Sequence, residues 1–407
     1  MNTYSQTVLE KPVEKEAASP SWLWEVRRKA YDRFKKIGFP TTRLESWRYI
    51  NLEPILGAAY RAQEGAARPF SFVKGEDTGV ELLDWAAAFR KDEEFLKRHL
   101  AVSAGREENP FVLVNTFSFK DAAVVRFPDH LTLDAPIHLR FVLKGSASGE
   151  LLYPRVLITA GKCVRAKVIV EFTDEGSGRF FSNAVSEVHI GEGACLDYLQ
   201  IQRAGGEAVQ FLSNRFYLKA YATLNALSFA QGGAVTRNEA SVDFGGEGGF
   251  ASLNGLAVLK GQSQIFNHAA AHHDVPRCKS RQFYKTILGD KSKSEFNSLV
   301  SVAKDARKSD SNQMNRNLLL SDFAESHSRP QLRIDNDDVI CVHGSATGQL
   351  EADELFYLRT RGLAEKDARF IMTYGFAREV VEEIHDGALR EEIDRAVQED
   401  LKRMVRG

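Results

Sequence analysis

The sequence feature that most constrains the fold is a weak internal repeat with a period near 30 residues. LDYL at 196–199, LNAL at 224–227 and LNGL at 253–256 begin 28 and 29 residues apart, and GKCV at 161–164 precedes GACL at 193–196 by 32 residues. Such a period in strand-rich sequence is typical of a β-solenoid, in which each coil buries its apolar face against the next. Because short patterns also recur by chance, a β-sandwich or barrel stays open on this evidence.

The region around the repeat consists of short β-type runs. FVLV at 111–114, RVLI at 155–158 and VIVEF at 168–172 are separated by Gly, Asp and Asn. β-branched and aromatic residues in such runs favour strands. We therefore predict a β core over residues 109–350, between a helical region at 1–108 and another at 351–407.

The amino-terminal region is predicted to be helical because apolar residues recur at helical spacing. One stripe contains Leu23, Val26, Ala30, Phe34 and Ile37, and Gly38 is expected to end the helix. A second helix is predicted over residues 81–100.

The carboxy-terminal region shows the same spacing. A short helix over 353–361, ended by Gly362, is followed by helical patterns over 365–384 and at Leu389, Ile393, Val397 and Leu401. These amphipathic helices must bury one face. The residues alone favour the chain's own core over a partner.

Composition excludes several function classes. The chain has 407 residues, a formal net charge of -1 and no apolar run long enough for a signal peptide or a membrane span. We expect a cytoplasmic protein that binds neither nucleic acid nor membrane. The four cysteines, at 163, 195, 278 and 341, form no C-x-x-C motif, so no self-contained metal site is indicated.

No common catalytic motif is present, but two clusters contain metal-binding residue types. His268, His272, His273, Asp274 and Cys278 form the first; on a helix, His268 and His272 would share one face. An exposed or structural role is the simpler interpretation of this cluster.

The second cluster is DNDDVICVHG at 335–344. If residues 339–343 form a strand, Cys341 and His343 point to the same side, about 6.6 Å apart along the chain. A sulfur and an imidazole suit zinc, copper or an iron-sulfur cluster, but two ligands fall short of the usual four. This half-site would need a partner; the alternative is a buried thiol beside a hydrogen-bonded histidine.

Several segments together resemble the SufB/SufD family of iron-sulfur cluster assembly proteins. They are CKSRQFYKTIL at 278–288, QMNRNLLLS at 313–321, PQL at 330–332, DDVICVHG at 337–344, LFYLRTRG at 355–362 and, near the amino terminus, GFPTTRLESWRY at 38–49. The SufD branch is the closer match. SufB-like members carry an amino-terminal cysteine-rich segment and a sulfur-accepting cysteine before the block that here reads LLL at 318–320, whereas this chain has Asn315, Arg316 and Asn317 there.

The resemblance implies a right-handed parallel β-helix and a non-enzymatic scaffold. It implies that the β-helix pairs with a SufB-like subunit and that the carboxy-terminal helices bind a SufC-like ATPase, on which residues 353–384 bury part of their surface. A nascent iron-sulfur cluster would form between the paired subunits, with His343 as ligand or essential group and Cys341 as a secondary candidate. Flavin binding stays open.

Two alternatives to this scaffold stay open. A SufB-like sulfur acceptor would carry persulfide in preference to its partner. A β-solenoid enzyme acting on carbohydrate would use His268, His272 or Asp274 in acid-base chemistry, and the isolated chain would then degrade polysaccharide.

Overall fold

The computed structural model describes residues 3–10, 20–62, 70–73, 79–174, 176 and 178–406. Its amino-terminal part is mostly helical, with three short strands. The elements are α1 Tyr4–Glu10, α2 Ser21–Ile37, a 3-10 helix Glu45–Trp47, α3 Glu53–Leu56, β1 Arg61–Ala62, β2 Phe70–Val73, β3 Glu81–Asp84, α4 Trp85–Lys91, α5 Glu93–His99 and α6 Pro110–Ser118. The predicted first helix is confirmed as α2, which ends before Gly38 at a φ of 66°, a conformation that favours glycine.

Two predictions in this part are wrong. The helix predicted over 81–100 is a strand followed by two helices, because Asp84 and Asp92 each accept a hydrogen bond from a backbone N–H and so begin a new helix. The run FVLV at 111–114 is not a strand but lies in α6, which Asn109 caps and Pro110 opens. Every residue of α6 is buried, so the sequence shows no helical periodicity there.

The remainder of the chain up to residue 348 is built almost entirely of strands. They are β4 Ala123–Phe127, β5 Ile137–Leu143, β6 Glu150–Leu152, β7 Arg155–Ala160, β8 Arg165–Asp174, β9 Phe180–Ile190, β10 Cys195–Ala204, β11 Ala208–Leu218, β12 Thr223–Gly232, β13 Val235–Phe244, β14 Phe250–Leu259, β15 Gln264–His273, β16 Lys279–Leu288, β17 Lys293–Val302, β18 Ser309–Leu319, β19 Glu325–Ile334 and β20 Val339–Gly348.

These strands form a parallel β-helix, which confirms the predicted solenoid. The first sheet runs in the order β3-β4-β7-β9-β11-β13-β15-β17-β19 and the second in the order β2-β5-β8-β10-β12-β14-β16-β18-β20. Each coil therefore contributes one strand to each sheet, and there are about eight coils. At the amino-terminal end of the sheets, β2 and β3 pair antiparallel with their neighbours.

The sequence repeat matches the true register only in part. Leu196 pairs with Leu224 and Leu199 with Leu227, as the 28-residue offset predicts. Leu224 then pairs with Ala251, so the third copy of the pattern is shifted by two residues. Cys195 pairs with Arg165, which makes the offset there 30 rather than 32 residues.

Helices cover the outer faces of both sheets. On the first sheet, Phe111 of α6 and Trp47 pack against Phe211 with ring centroids 4.6 and 6.2 Å away. Three helices follow the solenoid: α7 Ala352–Thr360, α8 Glu365–Val381 and α9 Gly387–Arg406. Val380 of α8 and Val397 of α9 are fully buried in the cluster that covers the second sheet.

This packing shows which surfaces of the carboxy-terminal helices are already covered, and the ATPase contact that the resemblance implies for them stays a prediction. The apolar sides of α8 and α9 face the chain's own solenoid, as the residues alone favoured, because the second sheet presents Leu199, Ile201 and Ile287 to them. By contrast, α7 has no buried residue. Among the described residues, no helix is long and apolar enough to span a lipid bilayer.

Candidate functional site

Cys341 and His343 lie on β20, the last strand of the second sheet. β20 is hydrogen-bonded to β18, and no further strand lies beside it among the described residues. β19 ends the first sheet in the same way. The carboxy-terminal end of the solenoid therefore presents two strand edges with backbone groups that are available to another chain.

Both candidate side chains face the interior side of the solenoid. In the parallel register, Cys341 pairs with Ser311 and His343 with Gln313, and both of these partners are buried between the sheets. The prediction that Cys341 and His343 share one face of a strand is confirmed. Cys341 is half-buried against the small apolar cluster of the last coils, whereas His343 is exposed at the open end.

The Cys341 thiol is not activated by its own surroundings. Burial raises its pKa above the ordinary cysteine value, and the nearby Asp310 carboxylate raises it further. Since the thiolate is the form that binds metal or sulfur, Cys341 is a weak ligand without a cation beside it. Among the four free cysteines, Cys163 is exposed and Cys278 is buried.

The opposite side of β20 is apolar and exposed. Ile340 has 66% and Val342 has 53% of its surface accessible. An edge strand with exposed β-branched side chains is suited to bind another protein by strand addition. The two candidate residues thus lie on a strand that is able to pair with another chain.

The first histidine cluster does not form a site of the predicted kind. Its histidines lie on β15, not on a helix, so His273 points to the interior while His268 and His272 face outwards. His268 is buried and bonded to Arg237, His272 to Ser301 and His273 to Ser280. In the described part of the chain, no three His, Cys, Asp or Glu side chains come together as a metal site.

The buried polar residues under the site were missed by sequence reasoning. Ser311, Gln313, Asn315 and Asn317 alternate along β18 and all point inward. An alternating polar pattern normally indicates the solvent side of a strand, so only the register reveals that these residues line the interior. The alternating polar pattern of β18 was the signal in the sequence that could have pointed to these residues.

Cys341 and His343 provide one sulfur and one nitrogen ligand, which is fewer ligands than an iron-sulfur cluster needs. A sulfur and an imidazole on one strand can bind iron, but a cluster needs about four ligands. A metal or cluster bound by these two residues would need further ligands from outside this strand.

The comparisons with known proteins identify the class. Residues 141–376 match the family model described as the SUF system FeS cluster assembly, SufBD core domain, and residues 2–68 match the SufBD protein N-terminal region. The chain belongs to the SufBD family of iron-sulfur cluster assembly proteins, as its motifs indicated.

Individual relatives sharpen this placement. Iron-sulfur cluster assembly protein SufD of Escherichia coli is 27% identical over 377 residues, which cover 88% of each chain. A SufBD family protein of Mycobacterium leprae is 30% identical over 292 residues, covering 70% of this chain and 73% of its own. One from Synechocystis is 27% identical over 315 residues, covering 75% and 69%. The similarity to SufD over 88% of the chain agrees with the branch that the sequence favoured.

Proposed function

We propose that this chain is the SufD-like, non-enzymatic scaffold subunit of a complex that builds nascent iron-sulfur clusters. The observation that carries the proposal is the position of His343 and Cys341, which lie together on β20, a terminal strand with one open edge among the described residues. In this proposal the cluster is a product that the complex assembles and passes on, not a permanent cofactor of the chain. His343 contributes a nitrogen ligand, and Cys341 contributes sulfur once a bound cation lowers its pKa.

The partner at the open end is a SufB-like solenoid. Its terminal strands would pair with β19 and β20, continue both sheets and cover Ile340 and Val342. Such pairing satisfies two rows of backbone groups at once and brings ligands of the partner next to His343.

The ATPase partner, SufC-like, binds at α7. Phe356 and Tyr357 are 66% and 56% exposed on this helix, and α8 and α9 are already packed on the solenoid. An apolar pair on an otherwise unpacked helix is a plausible anchor for another protein. Binding at α7 would connect ATP hydrolysis to the solenoid through α8.

The cluster site is tested by His343→Ala in the purified complex. We expect loss of cluster loading, measured as iron and sulfide content and visible absorbance, with an unchanged complex on gel filtration. His272→Ala, which removes an imidazole from the outer face of β15, is the matched control and should load normally. Normal loading of the His343→Ala complex would refute the assignment.

The two interfaces are tested by exposed substitutions, because deleting α8 and α9 would uncover the second sheet. Ile340→Lys with Val342→Lys should abolish co-purification with the SufB-like subunit, and Val102→Lys, also at an exposed apolar residue, should not.

Phe356→Asp with Tyr357→Asp should abolish ATPase binding, and Arg395→Asp on the exposed side of α9 should spare it. Retained binding in either test would reject that interface.

A further inference from the structure

Gln313 lies directly beneath His343, and its side-chain oxygen has no partner. The two residues are neighbours in the parallel register of β18 and β20. Gln313 is completely buried, yet no hydrogen bond to its Oε1 is present within the described residues. A buried amide oxygen without a donor costs about 1–3 kcal/mol, so this atom calls for an explanation.

The orientation of the Gln313 amide follows from its other contacts. Its Nε2 donates to the backbone oxygen of Gln331 at 3.3 Å and to Ser298 Oγ at 2.6 Å. A carbonyl oxygen can only accept, so the NH₂ group must be on this side. Ser298 in turn donates to Gln282 Oε1. These hydrogen bonds fix which end of the Gln313 amide is the NH₂ group, and they leave its Oε1 as an acceptor without a donor.

The candidate donor for this acceptor is the imidazole of His343, although no hydrogen bond joins the two side chains in the structure itself. It is the side chain next in register, on the same interior side of the sheet and one strand nearer the open end. A neutral imidazole carries one N–H and one lone pair, and a hydrogen bond to the N–H decides which nitrogen keeps the lone pair. In metal-binding histidines, the N–H of the ring nitrogen that does not bind the metal commonly donates a hydrogen bond to an oxygen in this way.

We propose that Gln313 is a positioning residue for His343. Its Oε1 accepts the imidazole N–H and fixes both the tautomer and the ring plane, so that the other ring nitrogen presents its lone pair at the open end of the solenoid. Ser298 and the Gln331 backbone hold the amide in place from below. The identity of what the free nitrogen binds, an iron of the nascent cluster, rests on the proposed function.

The hydrogen bond is tested on the full chain without iron or partners. With ¹⁵N-labelled histidine and a pH at which imidazoles are neutral, long-range ¹H–¹⁵N spectra show which ring nitrogen of His343 carries the proton; His343→Ala assigns the signal. We expect a single tautomer in the parent and a mixture in Gln313→Leu. Gln313→Glu, which keeps an acceptor oxygen, should restore the single tautomer.

Gln210→Leu is the matched control, since it removes a fully buried interior amide from β11 that takes no part in the hydrogen bonds of Gln313. It should leave the His343 tautomer unchanged. A tautomer mixture in the parent, or a single tautomer in Gln313→Leu, would overturn the inference. Gln313→Met, which keeps the length of the side chain without its amide, provides the same test if Gln313→Leu folds poorly.

Cluster loading separates this inference from the proposed function. In the assembled complex, Gln313→Leu should weaken iron loading about 10- to 100-fold, the usual effect of losing an oxygen that orients a metal-binding histidine. If His343→Ala loads normally while the tautomer effect is present, the proposed function fails and the hydrogen bond stands. If His343→Ala abolishes loading but Gln313→Leu changes neither tautomer nor loading, the inference alone fails.

Discussion

The two ends of the solenoid have different interiors. In the early coils the space between the sheets is filled by apolar side chains, such as Val168, Val170 and Phe172, with Phe172 stacked on Phe141 at 5.0 Å. In the late coils the corresponding positions of β18 hold Ser311 and Gln313 and their polar neighbours. The backbone geometry is the same, and the side chains are not.

The apolar interior of the early coils contributes mainly to stability, whereas the polar interior of the late coils does not. Coils of a solenoid contact only their neighbours, so the apolar coils stabilise their own end and give the last coil little support. Buried polar atoms without partners occur in earlier coils, at Gln202 and Gln210, as well as in late ones, at Gln282 and Gln313. The late coils differ in that one such atom, Gln313 Oε1, lies next to the open end. Polar groups placed there at a cost in stability are expected where the molecule binds something.

The largest expected effect lies in the apolar coils. Phe172→Ala should lower the free energy of unfolding by about 3–5 kcal/mol, because it removes a buried ring and leaves a cavity against Phe141. Phe323→Ala, at a ring that is 71% exposed, should change it by less than about 0.5 kcal/mol. Urea unfolding followed by circular dichroism measures both. Equal effects would mean that the early interior does not dominate stability.

A pH effect of about 3 kcal/mol is expected from His273 in the interior. Burial, with a smaller contribution from His272, lowers its pKa from 6.5 to about 4. Between these pH values the unfolded chain binds the proton and the folded chain does not, so this contribution to stability is complete above pH 6.5 and is lost as the pH falls to about 4.

The control for this effect is His273→Gln, which keeps a donor for Ser280 and does not titrate. Urea unfolding of the parent should weaken over this pH range more steeply than that of the variant. Because carboxylates titrate in both proteins, the difference between the two curves isolates His273. Parallel curves would show that His273 is not kept neutral by its surroundings.

The sequence predicted the architecture better than its detail, for physical reasons. The 28-residue step between Leu196 and Leu224 gave the true register because both residues fill the same interior position. Later coils differ in turn length, so the repeat drifted by two residues at Ala251. Helix α6 was missed because a helix buried on all sides has no polar face to set its period.

The candidate site was predictable only as far as one strand. Alternation along a strand placed Cys341 and His343 on one side without any knowledge of the fold. Ser311 and Gln313 could not be assigned to the site, since they lie about 30 residues earlier and become neighbours only through the parallel register. Family resemblance named the residues on the strand but not those beneath it.

A smaller effect is expected from the hydrogen bonds of the polar coils. Ser280 accepts from His273 Nε2 at 2.8 Å and donates to Ser311 at 3.0 Å. Ser280→Ala should therefore cost about 1–2 kcal/mol in urea unfolding, because it leaves the buried His273 N–H without an acceptor. Ser186→Ala, in an earlier coil, should cost less, since the Tyr198 hydroxyl that contacts Ser186 keeps its bond to Asn214. A larger loss for Ser186→Ala would reverse this part of the comparison.

The smallest effect is expected on the last strand itself. Ser345 lies on the interior side of β20 but is exposed, because no coil follows it within the described chain. Ser345→Val should change the free energy of unfolding of the isolated chain by less than about 0.5 kcal/mol, whereas Ser311→Val, one coil earlier and fully buried, should cost more because it removes the hydroxyl that Ser280 donates to. Ser345→Val can leave the stability of the isolated chain unchanged and still weaken the complex with the SufB-like subunit. That result would mean that the side chains of the last coil serve partner binding rather than folding. Substantial destabilisation of the isolated chain would instead make β20 part of the folding core and remove the distinction between the two ends.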